Sequence, residues 1–187
     1  AKFDEGAKVT IVLGELKKTD LAGVELCVIS PGIPLEAPFV AVIDEAKIPI
    51  WSEIELAYHC SKGKLAAITG TNGKTTTNAI LCKALEHEGQ KVIINRTGAN
   101  MLNGIIPAFV LATDKHGNLD ADYACIEVDE IASVGVLPKI EPDCALLTNI
   151  SRDQLDRFGE VDITYNKLMT AVTSVPKTTL IINCDDI

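Results

Sequence analysis

The sequence predicts an α/β protein, a small N-terminal unit followed by a mostly parallel central sheet flanked by helices. Three observations lead there. Short aliphatic runs alternate with helix-like segments along the chain, the pattern of strands joined by crossover helices. Aromatic residues make up 4% of the 187 residues while hydrophobic residues make up 47%. The interior must therefore be built from Val, Ile, Leu and Ala, as in strands buried on both faces. Finally, "LAAIT" at 65–69 stops at Gly-Thr-Asn-Gly-Lys-Thr and passes straight into a helical pattern, a strand–turn–helix of the phosphate-binding kind.

Taken in order, "KVTIVL" (8–13) and "ELCVIS" (25–30) read as buried strands, and "SPGIP" (30–34) as a loop. "LEAPFVAVIDEAK" (35–47) reads as a helix with Pro38 in its first turn, where the missing N–H does no harm. "IPIW" (48–51) is a short strand, and Ser52 with Glu55 forms a capping-box pattern at the head of the helix "SEIELAYHC". This succession describes a Rossmann-like unit, and the polar "SKGK" (61–64) marks its end. Residues 1–63 are thus expected to form one domain and 64–187 a second. In the second, strands are expected at 65–69, 91–95, 123–128, 144–149 and 179–183. Helices are expected at 75–88, 101–112 and 162–173, with a charged turn at 112–122. The chain opens ahead of a strand with no Gly-rich turn before it and closes on "LIINCDDI", so it reads as part of a longer protein.

Composition narrows the function classes. A net charge of −9 argues against a general binder of nucleic acid or of anionic membrane. No stretch approaches the roughly 20 apolar residues of a membrane span. The cysteines, Cys27, Cys60, Cys82, Cys125, Cys144 and Cys184, form no C-x-x-C pair and mostly sit in aliphatic runs. They read as reduced thiols of a cytoplasmic protein. His59, His87 and His116 read as structural or solvated.

The turn at 70–75 carries the chemistry. A strand that bends sharply into a helix can aim several backbone N–H groups at a phosphate tail, backed by the helix dipole. Glycine lets the backbone curl, lysine reaches the terminal phosphates, and a hydroxyl beside it can ligate Mg²⁺. Gly70, Gly73, Lys74 and Thr75 supply these parts, with Thr71, Asn72 and Thr76 completing the cradle of a P-loop. One departure stands out: G-x-x-x-x-G-K-[ST] would place glycine at 68, where the chain has Ile68. A metal partner is expected in "CIEVDE" (125–130), where Glu127 and Asp129 share one strand face. Thr75 and Glu127 are the expected Mg²⁺ ligands, and Lys74 with Glu127 the catalytic pair. "LTNISRDQLDRFGE" (147–160) adds Asn149 and Gln154 to the same edge of a parallel sheet, where ligands bind in such folds.

"ITGTNGKTTT", the strand ending in Glu127 and "TNI..D.LDR.G" together resemble the Mur ligase superfamily, over nearly the whole chain. The resemblance implies an N-terminal substrate domain that cradles UDP, a central ATPase domain and a C-terminal amine-delivering domain, of which the first two are expected in these residues. Residues 6–63 look like MurD, the D-glutamate-adding branch, whose "SPGIP" loop lines the substrate site; this implies substrate contacts from Ser30, Pro31 and Gly32. Asn100 matches a substrate-contacting Asn of that branch. Residues 91–187, through "NRTGANMLNGI", "IEVDE" and "RDQLDRFGEVD", look more like MurT. Gln154 stands where the MurD branch has a metal-site His, and Met169 where it has a carbamylated lysine. The implied activity is an ATP- and Mg²⁺-dependent amide ligase acting on a nucleotide-sugar peptidoglycan precursor. If MurT-like, the chain would use a lipid-linked precursor and a glutaminase subunit. A P-loop NTPase acting as a switch or assembly factor is the alternative from another class.

Overall fold

The computed structural model describes residues 9–30, 33–95, 102–114, 118–150 and 160–184. They divide into two compact units, Ala1–Ser52 and Glu53–Ile187. In the first, β1 (Cys27–Ile29) and β2 (Ile50–Ser52) pair in parallel, with Cys27 opposite Ile50. The helix between them, α1 (Pro38–Glu45), carries Pro38 at its start and buries Val40 and Ile43. A single 3-10 turn, Lys18–Leu21, is tied to α1 by a 3.2 Å ion pair from Lys18 to Glu45. The strand expected at 8–13 does not form over its described residues. A strand needs a neighbour for its N–H and C=O groups, and among the described residues the small sheet holds β1 and β2. Ile11 and Leu13 accordingly stand 79% and 89% exposed.

The second unit opens with α2 (Glu53–Cys60). Sequence reading placed this helix ahead of the boundary; in the structure its Ile54 is fully buried in the main core of the second unit. There follow β3 (Lys64–Thr69), α3 (Lys74–His87), β4 (Val92–Ile94), α4 (Leu102–Ala112), β5 (Tyr123–Glu127) and α5 (Ser133–Ile140). The unit ends with β6 (Cys144–Leu147), α6 (Glu160–Thr173) and β7 (Thr179–Ile182). The strands lie in the order β4-β5-β3-β6-β7, and every pairing is parallel.

Alternation along the strands sorts the core into two layers. Leu65 and Ala67 of β3 pack with Ile126 of β5, Ile54 of α2, Ile105 and Phe109 of α4, and Val136 and Ile140 of α5. Ile68 of β3 and Cys125 of β5 pack with Cys82 of α3 on the opposite side. A third cluster joins Leu137 of α5, Ala145 of β6, and Ala171 and Val175 after it. Helices therefore cover both faces, as parallel strands require.

Helix α5 has no counterpart in the sequence-based expectations. "SVGVLPKI" contains Gly135 and Pro138, both poor helix formers. It forms because Ser133, Val136, Leu137 and Ile140 are all buried, so packing outweighs propensity.

Parallel pairing delivers every strand exit to one rim. Ile68 lies opposite Glu127, and Thr69 opposite Leu147. The turn after β3, the carboxylate ending β5 and the residues after β6 are thereby neighbours before any side chain is considered.

Candidate active site

Ile68, standing where the longer glycine pattern has its first Gly, is fully buried inside β3. The turn therefore begins only at Gly70, whose φ of +122° is one that L side chains rarely adopt. Gly73, φ +80°, is the N-cap of α3, and the first bond of the helix runs from the Thr77 N–H to the Gly73 carbonyl. The N–H groups of Lys74, Thr75 and Thr76 are thus left without intrahelical acceptors, at the positive end of the helix dipole. They face a cleft of about 400 Å³ lined by the turn Thr71–Thr76 and by Glu127.

The turn is stitched to the exit of β6. Thr71 gives its N–H (2.9 Å) and its hydroxyl (3.1 Å) to the Asn149 carbonyl. Asn72 and Asn149 bond reciprocally: the Asn72 N–H donates to Asn149 Oδ1, and Asn149 Nδ2 donates to the Asn72 carbonyl, both at 3.1 Å. Thr148 adds its hydroxyl to the Asn72 carbonyl at 2.7 Å. The N–H groups of Thr71 and Asn72, expected to face phosphate, are committed to Asn149. Asn149 thereby shapes the turn, and Thr148 is an additional clasp.

Thr75 and Glu127, the expected Mg²⁺ ligands, are in contact: the threonine hydroxyl donates to Glu127 Oε1 at 3.1 Å. Glu127 is buried, and its backbone is held at both poles by Asn95. The Glu127 N–H donates to Asn95 Oδ1 and Asn95 Nδ2 donates to the Glu127 carbonyl, each at 2.8 Å. A carboxylate and a hydroxyl converging on one point, both hard oxygens, suit Mg²⁺, which takes one or two protein oxygens and completes its shell with phosphate and water. Asp129, which shares the strand face with Glu127 in an extended reading, caps the following turn: its Oδ1 accepts from the N–H groups of Ile131 and Ala132.

Lys74 is almost entirely enclosed. Its amine donates to the Gly70 carbonyl at 2.6 Å and to Glu130 Oε1 at 2.8 Å, and the two charged side chains are 10% and 12% exposed. Burial pushes the Glu130 carboxyl above the ordinary carboxylate value, and its hydrogen bond from Lys74 pulls the other way. Sequence reading missed Glu130 as the lysine's partner, along with Asn95 and Thr148. The available signal was a polar residue at the exit of an aliphatic run, seen in "VIIN", "IEVDE" and "LLTN". Ser30 lies in the first unit, where its carbonyl accepts from the Ile33 N–H at 3.0 Å. Pro31, Gly32, Asn100 and Gln154 lie outside the described residues.

Residues 68–187 match the Mur ligase middle domain. The MurT subunit of the glutamine-hydrolyzing lipid II isoglutaminyl synthase of Streptococcus pneumoniae is 38% identical over 122 residues, 65% of this chain and 27% of that protein. The UDP-N-acetylmuramoylalanine--D-glutamate ligase of Lachnospira eligens is 31% identical over 180 residues, 96% of this chain and 38% of that protein. The chain thus spans well under half the length of these relatives. Among solved structures, MurF from Acinetobacter baumannii superposes with a TM-score of 0.59 at 18% identity, covering 86% of this chain and 40% of that one. MurF from Thermotoga maritima, solved in complex with ADP, gives 0.57 at 20% identity, covering 85% and 43%. The match of residues 68–187, more than half of the chain, to the Mur ligase middle domain places this chain in the Mur ligase family.

Proposed function

We propose that the protein is an ATP-dependent carboxylate–amine ligase of peptidoglycan precursor synthesis, of the MurD type. The observation that carries this reading is the 3.1 Å contact of Thr75 with Glu127 beside Lys74, in a chain of the Mur ligase family. In this reaction class a substrate carboxylate oxygen attacks the γ-phosphorus of ATP, ADP leaves, and an amine nitrogen then displaces phosphate from the acyl phosphate with loss of a proton. The protein's part is positioning and charge stabilisation.

The N–H groups of Lys74, Thr75 and Thr76, with that of Gly73, hold the phosphates. Lys74 neutralises charge at the β- and γ-positions. Thr75 and Glu127 hold Mg²⁺, which when bound supplies further neutralisation of the same oxygens. Asn95 keeps Glu127 in place, and Asn149 keeps the turn open. The N-terminal unit, with Ser30, Pro31 and Gly32, serves the UDP end of a nucleotide-sugar substrate, and Asn100 contacts substrate from the ATP-binding unit. Gln154 completes the nucleotide site. The location is cytoplasmic, where ATP and nucleotide sugars are made.

A second reading is favoured by one observation: identity is higher to the MurT subunit, 38% over 122 residues, than to the D-glutamate ligase, 31% over 180. On that reading the protein works with a glutaminase subunit on a lipid-linked precursor. The intact protein decides between them. D-glutamate-dependent ADP release on UDP-MurNAc-L-alanine supports the first, and glutamine- or ammonia-dependent amidation supports the second. ATP hydrolysis indifferent to any carboxylate substrate would overturn both in favour of an NTPase switch. Lys74→Ala is expected to lower turnover at least about 100-fold.

A further inference from the structure

We propose that Glu130 is an affinity-setting residue of the phosphate turn, holding the Lys74 amine in a parked position from which a polyphosphate must take it. The proposal deepens the ATP-binding reading and rests on it. An ammonium has three N–H donors. Two are committed, to the Gly70 carbonyl and to Glu130 Oε1. Spanning a β- and a γ-phosphate oxygen needs two donors, so one present partner must be released. Gly70 cannot yield: it is backbone, and its turn is fixed by the bonds of Thr71 and Asn72 to Asn149. Glu130 is a side chain and can swing away.

Charge points the same way. With Glu130 at 2.8 Å and both groups nearly enclosed, the pair presents little net charge to an incoming anion, and the carboxylate itself repels it. The carboxylate is also held in a setting where burial disfavours its charge, which eases its release. Glu130 has a converse role in the free protein. Without it, a buried ammonium would be left with one carbonyl, a costly state. A residue that stabilises the free form and opposes the bound form necessarily weakens binding.

The test uses the intact protein with Glu130→Gln, which keeps shape and an acceptor oxygen but removes the charge. Calorimetry with Mg²⁺ would compare AMP-PNP, ADP and AMP. AMP-PNP is expected to bind about five- to tenfold more tightly to the variant, ADP to gain less, and AMP, which carries no phosphate into reach of the amine, to be unchanged. The thermal midpoint of the ligand-free variant is expected to fall. Unchanged or weaker AMP-PNP binding overturns the proposal, as does an equal gain for AMP, which a purely structural role would give. Wild-type binding without a gain in the variant removes this inference alone. Wild-type failure to bind any of the three nucleotides removes the proposed function and this inference with it.

Discussion

Gly70 is required twice over. Its φ of +122° suits glycine, and a Cβ there would land on the Thr148 hydroxyl and 2.8 Å from the Asn149 carbonyl oxygen. Gly89 shares only the first demand: φ +79° with nothing within 4 Å. Gly70→Ala is therefore expected to destabilise by about 2–4 kcal/mol, and Gly89→Ala by about 1 kcal/mol, read from urea unfolding midpoints. Equal losses would remove the close-approach argument. Residue types alone announced Gly70, Lys74, Thr75 and Glu127, because each is of a kind that phosphate or metal binding uses and each sits at a strand exit. They did not announce Glu130. Three carboxylates fall within "CIEVDE", and strict alternation assigns Asp129 to the face of Glu127. The chain instead bends at Asp129, whose side chain takes the next two free N–H groups of the turn, and Glu130 reaches the lysine.

At the scale of elements, the helix α3 that follows the glycine–lysine turn packs on β5 through two thiols, Cys82 and Cys125. The hydrogen bond with Cys82 and then burial raise the Cys125 thiol far above its ordinary value of 9.0. A thiol raised on folding stays protonated in the folded chain while the unfolded chain ionises. Its contribution is fully present below pH 9 and is lost as pH climbs above it. Stability is thus expected to fall above pH 9 with a slope approaching about 1.4 kcal/mol per pH unit from this group. Cys125→Ala should flatten that part of the curve in chemical denaturation across pH 8 to 10.5; an unaltered slope would refute the assignment. Elements with a clear period were legible: α3, β3 and β5 fall within a residue or so of expectation. Helix α5 was hidden because its Gly and Pro speak against a helix, and only the buried Val136, Leu137 and Ile140 explain it. The run at 8–13 differs for the opposite reason, since aliphatic residues announce a strand without saying whether it has a partner.

For the whole molecule, the central sheet grades from protected centre to open edge. β3 has neighbours on both sides and is buried at Leu65, Ala67 and Ile68. β7 lies at the end of the sheet among the described residues, with Leu180, Ile181 and Ile182 at 44%, 47% and 55% exposure. Hydrogen exchange should find β3 and β5 amides opening only with global unfolding, and β7 amides exchanging at least about tenfold faster. Uniform protection would mean that the sheet has no such gradient. The parallel sheet was legible because aliphatic strands separated by helices leave few other arrangements. Strand order was not, since nothing local in "LAAIT" or "CALL" says which strand lies beside which. That order has a mechanical result. Asn72 and Asn149 clasp each other across the β3–β6 rim, so the loop at 70–75 hangs from the end of another strand, as a bell hangs from its yoke. A pull on the chain beyond Asn149 reaches that loop directly, without passing through the core.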